Sequence, residues 1–176
     1  AAENTSTWSF DPATPLHELA AYDAGCFEIQ DLSSQRTGDI MDPLPGQRWW
    51  DTCAASGGKS LLLLDKQPGI RLLASDVRDS IIENLRGRLH RAGSKGVDIR
   101  KIDLKSFKSD TSMRFDRILV DAPCSGSGTW SRTPEMLRFF DENSIDIHFK
   151  PLQKDIVSNV VESLVSGGKL FFITCS

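Results

Sequence analysis

The chain has 176 residues, 39% of them hydrophobic and 26% charged, and carries a formal net charge of −3. That length supports one domain with a sizeable core, and the balance is that of an ordinary globular protein. The charge excludes strong non-specific attraction of the whole chain to nucleic acid, though it leaves room for a local basic face.

The opening "AAENTSTWSFDP" has no charged segment followed by an apolar one, so no signal peptide is expected. The longest apolar runs fall far short of a membrane span. "TPLHELAAY" predicts a short helix capped near Thr14, and "CFEIQDLSSQ" begins as a strand over Cys26 to Gln30. "MDPLPGQ", with two prolines and a glycine, is a turn. Residues 1–47 are therefore read as a segment preceding a core of residues 48–176.

From Arg48 the pattern is regular. "RWWDTC" predicts a first strand running into a turn at "AASGG", and "GKSLLLLD" a short buried helix. "GIRLLASD" is a second strand ending at Asp76. Ile81, Ile82, Leu85, Leu89 and Ala92 then share one face of an amphipathic helix. "VDIRKID" is a third strand ending at Asp103, and "FDRILVDAPC" a fourth, with Ile118, Leu119 and Val120 buried. After the loop "SGSGTWSRTP", a helix is expected over Gln153 to Ser166. Its apolar stripe is Ile156, Val157, Val160, Val161, Leu164 and Val165, and Gly167-Gly168 stop it. "KLFFITCS" is a fifth strand.

Strands alternating with helices predict an α/β fold, a doubly wound and mainly parallel Rossmann-like sheet of order 3-2-1-4-5. Ligands of such sheets collect at the carboxyl ends of the strands. The chemically notable residues fall there: Cys53 and the glycines Gly57 and Gly58, then Asp76, Asp103, Asp121, Cys124 and Cys175. That coincidence argues for a single site.

"DTCAASGGKS" supports two readings. It ends Gly58-Lys59-Ser60 as a phosphate-binding loop does, and "RILVDAP" could supply the magnesium-holding Asp of an NTPase. Cys53, however, stands where that loop's opening glycine belongs, and this reading leaves Asp76 and both mouth cysteines unexplained. The second reading is a nucleoside cofactor with little negative charge. Gly57 and Gly58 permit close backbone approach. Asp76, 25 residues beyond Asp51, is placed for ribose hydroxyls, and Asp103 for an adenine amino group. Carboxylates suit the positive sulfonium and amino groups of S-adenosylmethionine. Either Asp could instead be a simple cap or turn residue.

The four cysteines, Cys26, Cys53, Cys124 and Cys175, form no C-x-x-C pair, so neither zinc nor another metal is expected. A domain of this size needs no disulfide framework, and reduced cytosolic thiols are the better reading. Cys124 and Cys175 end neighbouring strands, in turns of small polar residues, beside the cofactor cleft.

Taken in order, "FEIQDLSSQ", "DTCAASGGKS", "ASDVRDSIIENL", "VDAPCSGSGTW" and "ITCS" resemble the Sun-type (Fmu-like) RNA cytosine-5 methyltransferases, from about Gly25 to Ser176. One departure is Ser56, where that family usually has proline. The resemblance implies S-adenosylmethionine as cofactor, held by Cys53, Ala54, Ala55, Ser56, Gly57, Gly58, Lys59, Asp76, Asp103 and Asp121. It implies that Cys175 is the nucleophile, that Cys124 assists product release, and that Asp121 hydrogen-bonds the cytosine ring nitrogen. A reactive thiol needs a local positive field; Lys59 is a candidate source, or a partner of the cofactor's carboxylate. RNA is the implied partner, ribosomal more than transfer RNA, in the cytoplasm, with no role for a membrane.

Two features stay open in the sequence. Trp130 either stacks on an unpaired base or packs as a lid on the protein. The basic run Arg86, Arg88, Arg91, Lys95, Arg100 and Lys101 faces RNA or is a solvated helix face. Because the resembled domain continues into further strands, the chain is expected to be incomplete at its C-terminus. Strand 5 would then be an exposed edge, and cofactor affinity would be kept while methylation is poor.

Overall fold

The computed structural model describes residues 7–11, 13–109 and 112–175. Ser176, which closes the "ITCS" motif, and the first six residues of the opening segment lie outside that range. Five parallel strands form one sheet: β1 (Arg48–Asp51), β2 (Arg71–Asp76), β3 (Asp98–Lys101), β4 (Phe115–Asp121) and β5 (Leu164–Ile173). Their order is β3-β2-β1-β4-β5, as the alternating pattern predicts. Switching sides between β1 and β4 opens the crevice in which such sheets hold ligands.

The adjacent tryptophans of β1 show how the sheet is covered, because successive side chains of a strand point to opposite faces. Trp49 packs with Met41, Leu63, Leu72 and Leu119, and its ring stacks on Phe171. Trp50 packs with Leu73, Ile118, Ile156 and Val160. Both are fully buried, which contributes at most about 5 kcal/mol each. Helices α3 (Gly58–Lys66) and α4 (Asp79–Arg91) supply the first face through Leu61, Leu63, Leu85 and Leu89. Helix α5 (Lys150–Val161) supplies the second. Between β3 and β4 it is Leu104, Phe107 and Met113, rather than a helix, that cover Trp50.

Several elements differ from expectation. "TPLHELAAY" is two short pieces, a 3-10 turn at Leu16–Glu18 and the one-turn helix α1 (Ala20–Asp23), and Thr14 caps neither. Cys26 to Gln30 is not a strand. This stretch is drawn onto α4 by Glu28, which binds Arg88 and Arg91 at 2.8 and 2.7 Å, so no sheet edge captures it. The next helix, α2 (Leu32–Met41), had no clear periodic signal; it inserts only Gly38 and Met41 into the core. β3 stops at Lys101, two residues before Asp103. Helix α5 runs three residues earlier than expected and ends at Val161, so Leu164 and Val165 belong to β5. Their apolar run continues the helical period by coincidence; pairing of Leu164 with Phe115 decides the matter. Gly167-Gly168 then lie inside β5, at a bulge where Lys169 resumes the register opposite Arg117. β3 and β5 are the sheet's edges. Among the described residues no helix is long and apolar enough to cross a membrane.

Candidate active site

Three strand ends converge on the turn after β1. Thr52 donates to the Leu119 carbonyl through both its amide and its hydroxyl, at 2.9 Å each, fastening the turn to β4. Ala54 N donates to Ser75 O at 2.8 Å, fastening it to β2. The buried Ser75 hydroxyl accepts from Trp50 Nε1 (2.9 Å) and donates to Thr52 O (3.0 Å). Gly57, at φ +90°, leads into α3; a Cβ there would stand 2.5 Å from Leu85 Cδ1. Glycine is thus required at 57 both by backbone and by space. The result is an open cradle of main-chain atoms from Cys53 to Gly58, the shape a nucleoside cofactor needs.

Asp76 meets this cradle directly, accepting from Ala55 N at 3.2 Å. Arg78 grips the same carboxylate with Nε and Nη2, both at 3.0 Å. Burial pushes the Asp76 carboxyl up, but the Arg78 hydrogen bonds and charge, with the Ala55 amide, outweigh it and hold the group below the usual carboxylate range. Asp76 is therefore an ionised acceptor beside the turn. Asp103 is placed differently. It is exposed and accepts from Lys105 N (3.0 Å) and Ser106 Oγ (3.2 Å), the work of a turn residue.

Asp51, not among the site residues expected from the sequence, is the most deeply buried acid of the site. Ser60 donates to its Oδ2 at 2.7 Å, and its Oδ1 has no partner among the described residues. Burial pushes its carboxyl from the ordinary 3.8 to about 7, against the Ser60 bond and Lys59, with Asp121 and Asp76 adding to the rise. The native state keeps this proton up to about pH 7, whereas the unfolded chain loses it near 3.8. Between those values the native state binds more protons, so stability falls as pH rises. Asp51→Asn lacks the titration. Denaturant melts of both proteins at pH 5.5 and 8.5 should show the wild type losing about 2 kcal/mol relative to the variant. A constant difference would mean that Asp51 is already ionised at the lower pH.

At the other wall, Lys59 Nζ lies 2.5 Å from Asp121 Oδ2. Cys124 and Cys175, 51 residues apart in sequence, have their sulfurs 3.3 Å apart. Gly128 N donates to Cys175 O at 2.7 Å, and a Cβ on Gly128 would come within 2.8 Å of that oxygen, so this glycine lets the Cys124 loop close on the end of β5. Partial burial, then the Cys124 thiol and the Asp121 carboxylate, push the Cys175 thiol up to about 11, with Lys59 opposing. The positive field expected for this thiol is thus neutralised in the resting state, because Lys59 is held by Asp121. Burial and the neighbouring carboxylates push Cys53 up to about 12; it packs against the core beside Trp50 and takes no part in the thiol pair.

The open features also find their places. Trp130 packs on Phe140 with ring centroids 4.8 Å apart, as a lid does. In the basic stretch, Arg86, Arg88, Arg91, Arg100 and Lys101 are each ion-paired, with Glu83, Glu28, Glu28, Asp98 and Asp79. Among the described residues there is no group of three or more His, Cys, Asp or Glu that could hold a metal ion.

The site therefore gathers Asp76, paired with Arg78, and Asp121, paired with Lys59, beside the buried Asp51, which keeps its proton up to about pH 7. Because Lys59 and Arg78 are each held by a carboxylate, the turn offers little free positive charge to a triphosphate. The glycine turn and the strand-end acid fit a Rossmann-like nucleoside-cofactor turn better than an NTPase loop. The chain belongs to the family described as 16S rRNA methyltransferase RsmB/F, which it matches over residues 39–176. It is 32% identical to ribosomal RNA small subunit methyltransferase B of Citrobacter koseri over 92% of its own length and 38% of that protein's. The relative of the same name from Proteus mirabilis is also 32% identical, over 92% and 38%. The chain thus spans somewhat over a third of the curated relatives it matches. Among solved structures it is similar to NSun6 from Pyrococcus horikoshii with SFG, with TM-score 0.80 and 25% identity over 93% of this chain and 41% of that one. A methyltransferase homologue from the same organism gives TM-score 0.73 and 30% identity over 94% and 51%.

Proposed function

We propose that this domain methylates carbon 5 of a cytosine in RNA, ribosomal RNA before transfer RNA, through a covalent cysteine adduct. The observation that carries the reading is the pair of thiols 3.3 Å apart near the glycine turn that follows β1. Carbon 5 of cytosine is a poor nucleophile, and addition of a thiolate at carbon 6 makes it enamine-like. Cys175 makes that bond. Asp121 hydrogen-bonds the ring nitrogen and stabilises its protonated form during attack. S-adenosylmethionine, when bound, supplies the methyl group. Cys124 then assists loss of the carbon 5 proton, after which the Cys175 sulfur leaves and the double bond is restored. One of the two neighbouring thiols thus makes the adduct and the other resolves it.

For the cofactor, the backbone of Cys53, Ala54, Ala55, Ser56, Gly57 and Gly58 forms the cradle. Asp76 accepts from the ribose, sharing its oxygens with Arg78. Lys59 answers the cofactor's carboxylate from its place beside Asp121. Asp103 reaches the adenine only if the turn it caps opens, which makes it the weakest member of the set. The cytoplasm, where rRNA and reduced thiols occur together, is the compartment this chemistry needs. Calorimetric titration tests the cofactor half: S-adenosylmethionine should bind and magnesium-ATP should not, and the reverse result would restore the NTPase reading.

A further inference from the structure

Resting on that reading, we infer that Arg88 is a positioning residue for the cofactor turn: it holds Ser56 at the tip and is anchored in turn by Glu28. The turn needs such support. Ala55 sits at φ 46° and Gly57 at φ 90°, and a left-handed alanine costs on the order of 1 kcal/mol. Ser56 stands between them.

Arg88 supplies the constraint from α4. Its Nη1 lies 3.1 Å from Ser56 Oγ and 3.5 Å from the Ser56 carbonyl oxygen, and its Nε donates to Glu28 Oε2 at 2.8 Å. The other oxygen of Glu28 accepts from Arg91 Nη2 at 2.7 Å, and the Arg91 guanidinium lies 4.2 Å from the Tyr22 ring centre. The Arg88 and Glu28 side chains are 19% and 20% exposed, so the pair is partly desolvated and its geometry held. Neighbours grip the same turn. Leu85, one turn earlier on α4, stands under Gly57, and Gln30 Nε2 donates to Gly58 O at 3.3 Å. Consecutive residues 56, 57 and 58 are thus held from outside, while Ala55 N meets Asp76 on the other side. A turn already in its binding shape loses less freedom when cofactor arrives. Arg88 therefore acts on affinity and not on the chemical step.

The test is calorimetric titration of S-adenosylmethionine into the wild type and Arg88→Met, with methyl transfer measured at saturating cofactor. In the variant, Kd and the cofactor KM should rise about tenfold while saturated turnover stays within about twofold. Arg88→Lys should recover only part of the loss, since an ammonium cannot serve Glu28 and Ser56 as a fork does. Should Arg88→Met fold poorly, Ser56→Ala gives the milder probe: a rise of about two- to threefold with Glu28–Arg88 intact. The inference is overturned if Arg88→Met, or Ser56→Ala in its place, binds cofactor as the wild type does, or if Arg88→Met lowers saturated turnover as much as affinity. A wild type that takes no S-adenosylmethionine sinks the methyltransferase reading itself; normal wild-type binding with an unaffected variant sinks this inference alone.

Discussion

Cys124→Ala, incubated with ribosomal RNA and S-adenosylmethionine, is expected to accumulate a covalent protein–RNA adduct that survives denaturing electrophoresis, while Cys175→Ala forms none. The asymmetry follows from the two roles proposed for these thiols. Removing the resolving thiol leaves attack intact and blocks escape, so methylated adduct builds up and turnover falls by about 10²- to 10⁴-fold. Removing the nucleophile stops the reaction before any bond forms. Because the sulfurs are 3.3 Å apart, one base can meet both; of the other cysteines, Cys53 packs against the core and Cys26 is exposed on the stretch that Glu28 ties to α4. Running transfer RNA in parallel tells which RNA is taken. Adduct in Cys175→Ala and none in Cys124→Ala would exchange the roles; none in either would leave a domain that binds but does not catalyse.

Asp121→Asn is expected to lower single-turnover methylation by about 10²- to 10³-fold, the cost of losing one charge-matched group at the reacting base. An amide keeps the shape but stabilises a protonated ring nitrogen poorly and releases Lys59 from its 2.5 Å contact. A second readout separates this role from simple damage. The Asp121 charge raises the Cys175 thiol and Lys59 lowers it. Without the carboxylate the thiol becomes more acidic, so its alkylation by iodoacetamide should shift to lower pH even as methylation is lost. A more reactive thiol in a less active enzyme is the signature sought. Methylation within tenfold of wild type would remove Asp121 from the mechanism.

Much of this molecule was legible because the relevant signals are local. Alternating strand and helix periods gave the sheet order, since parallel strands require crossovers and crossovers leave few topologies. Glycines at a strand-to-helix turn and an Asp at the next strand end marked the cofactor side. The small-residue turns around Cys124 and Cys175 marked the two thiols that the fold brings together. What failed was also local in origin. Leu164 and Val165 continue a helical stripe, yet pairing with β4 claims this part of the chain. Cys26 to Gln30 alternates like a strand, but the ion pairs of Glu28 take it to α4.

By itself the sequence determined the order of the five sheet strands, the glycine turn, and which residue types stand near the strand ends, because each follows from spacing along one chain. Only the tertiary structure decided what those residues do to one another: that Lys59 is held by Asp121, that Asp51 is buried enough to keep a proton, that Arg78 covers Asp76, and that Arg88 reaches Ser56 from 32 residues away. Charge interaction and desolvation depend on distance and burial in space, and neither is written in sequence separation.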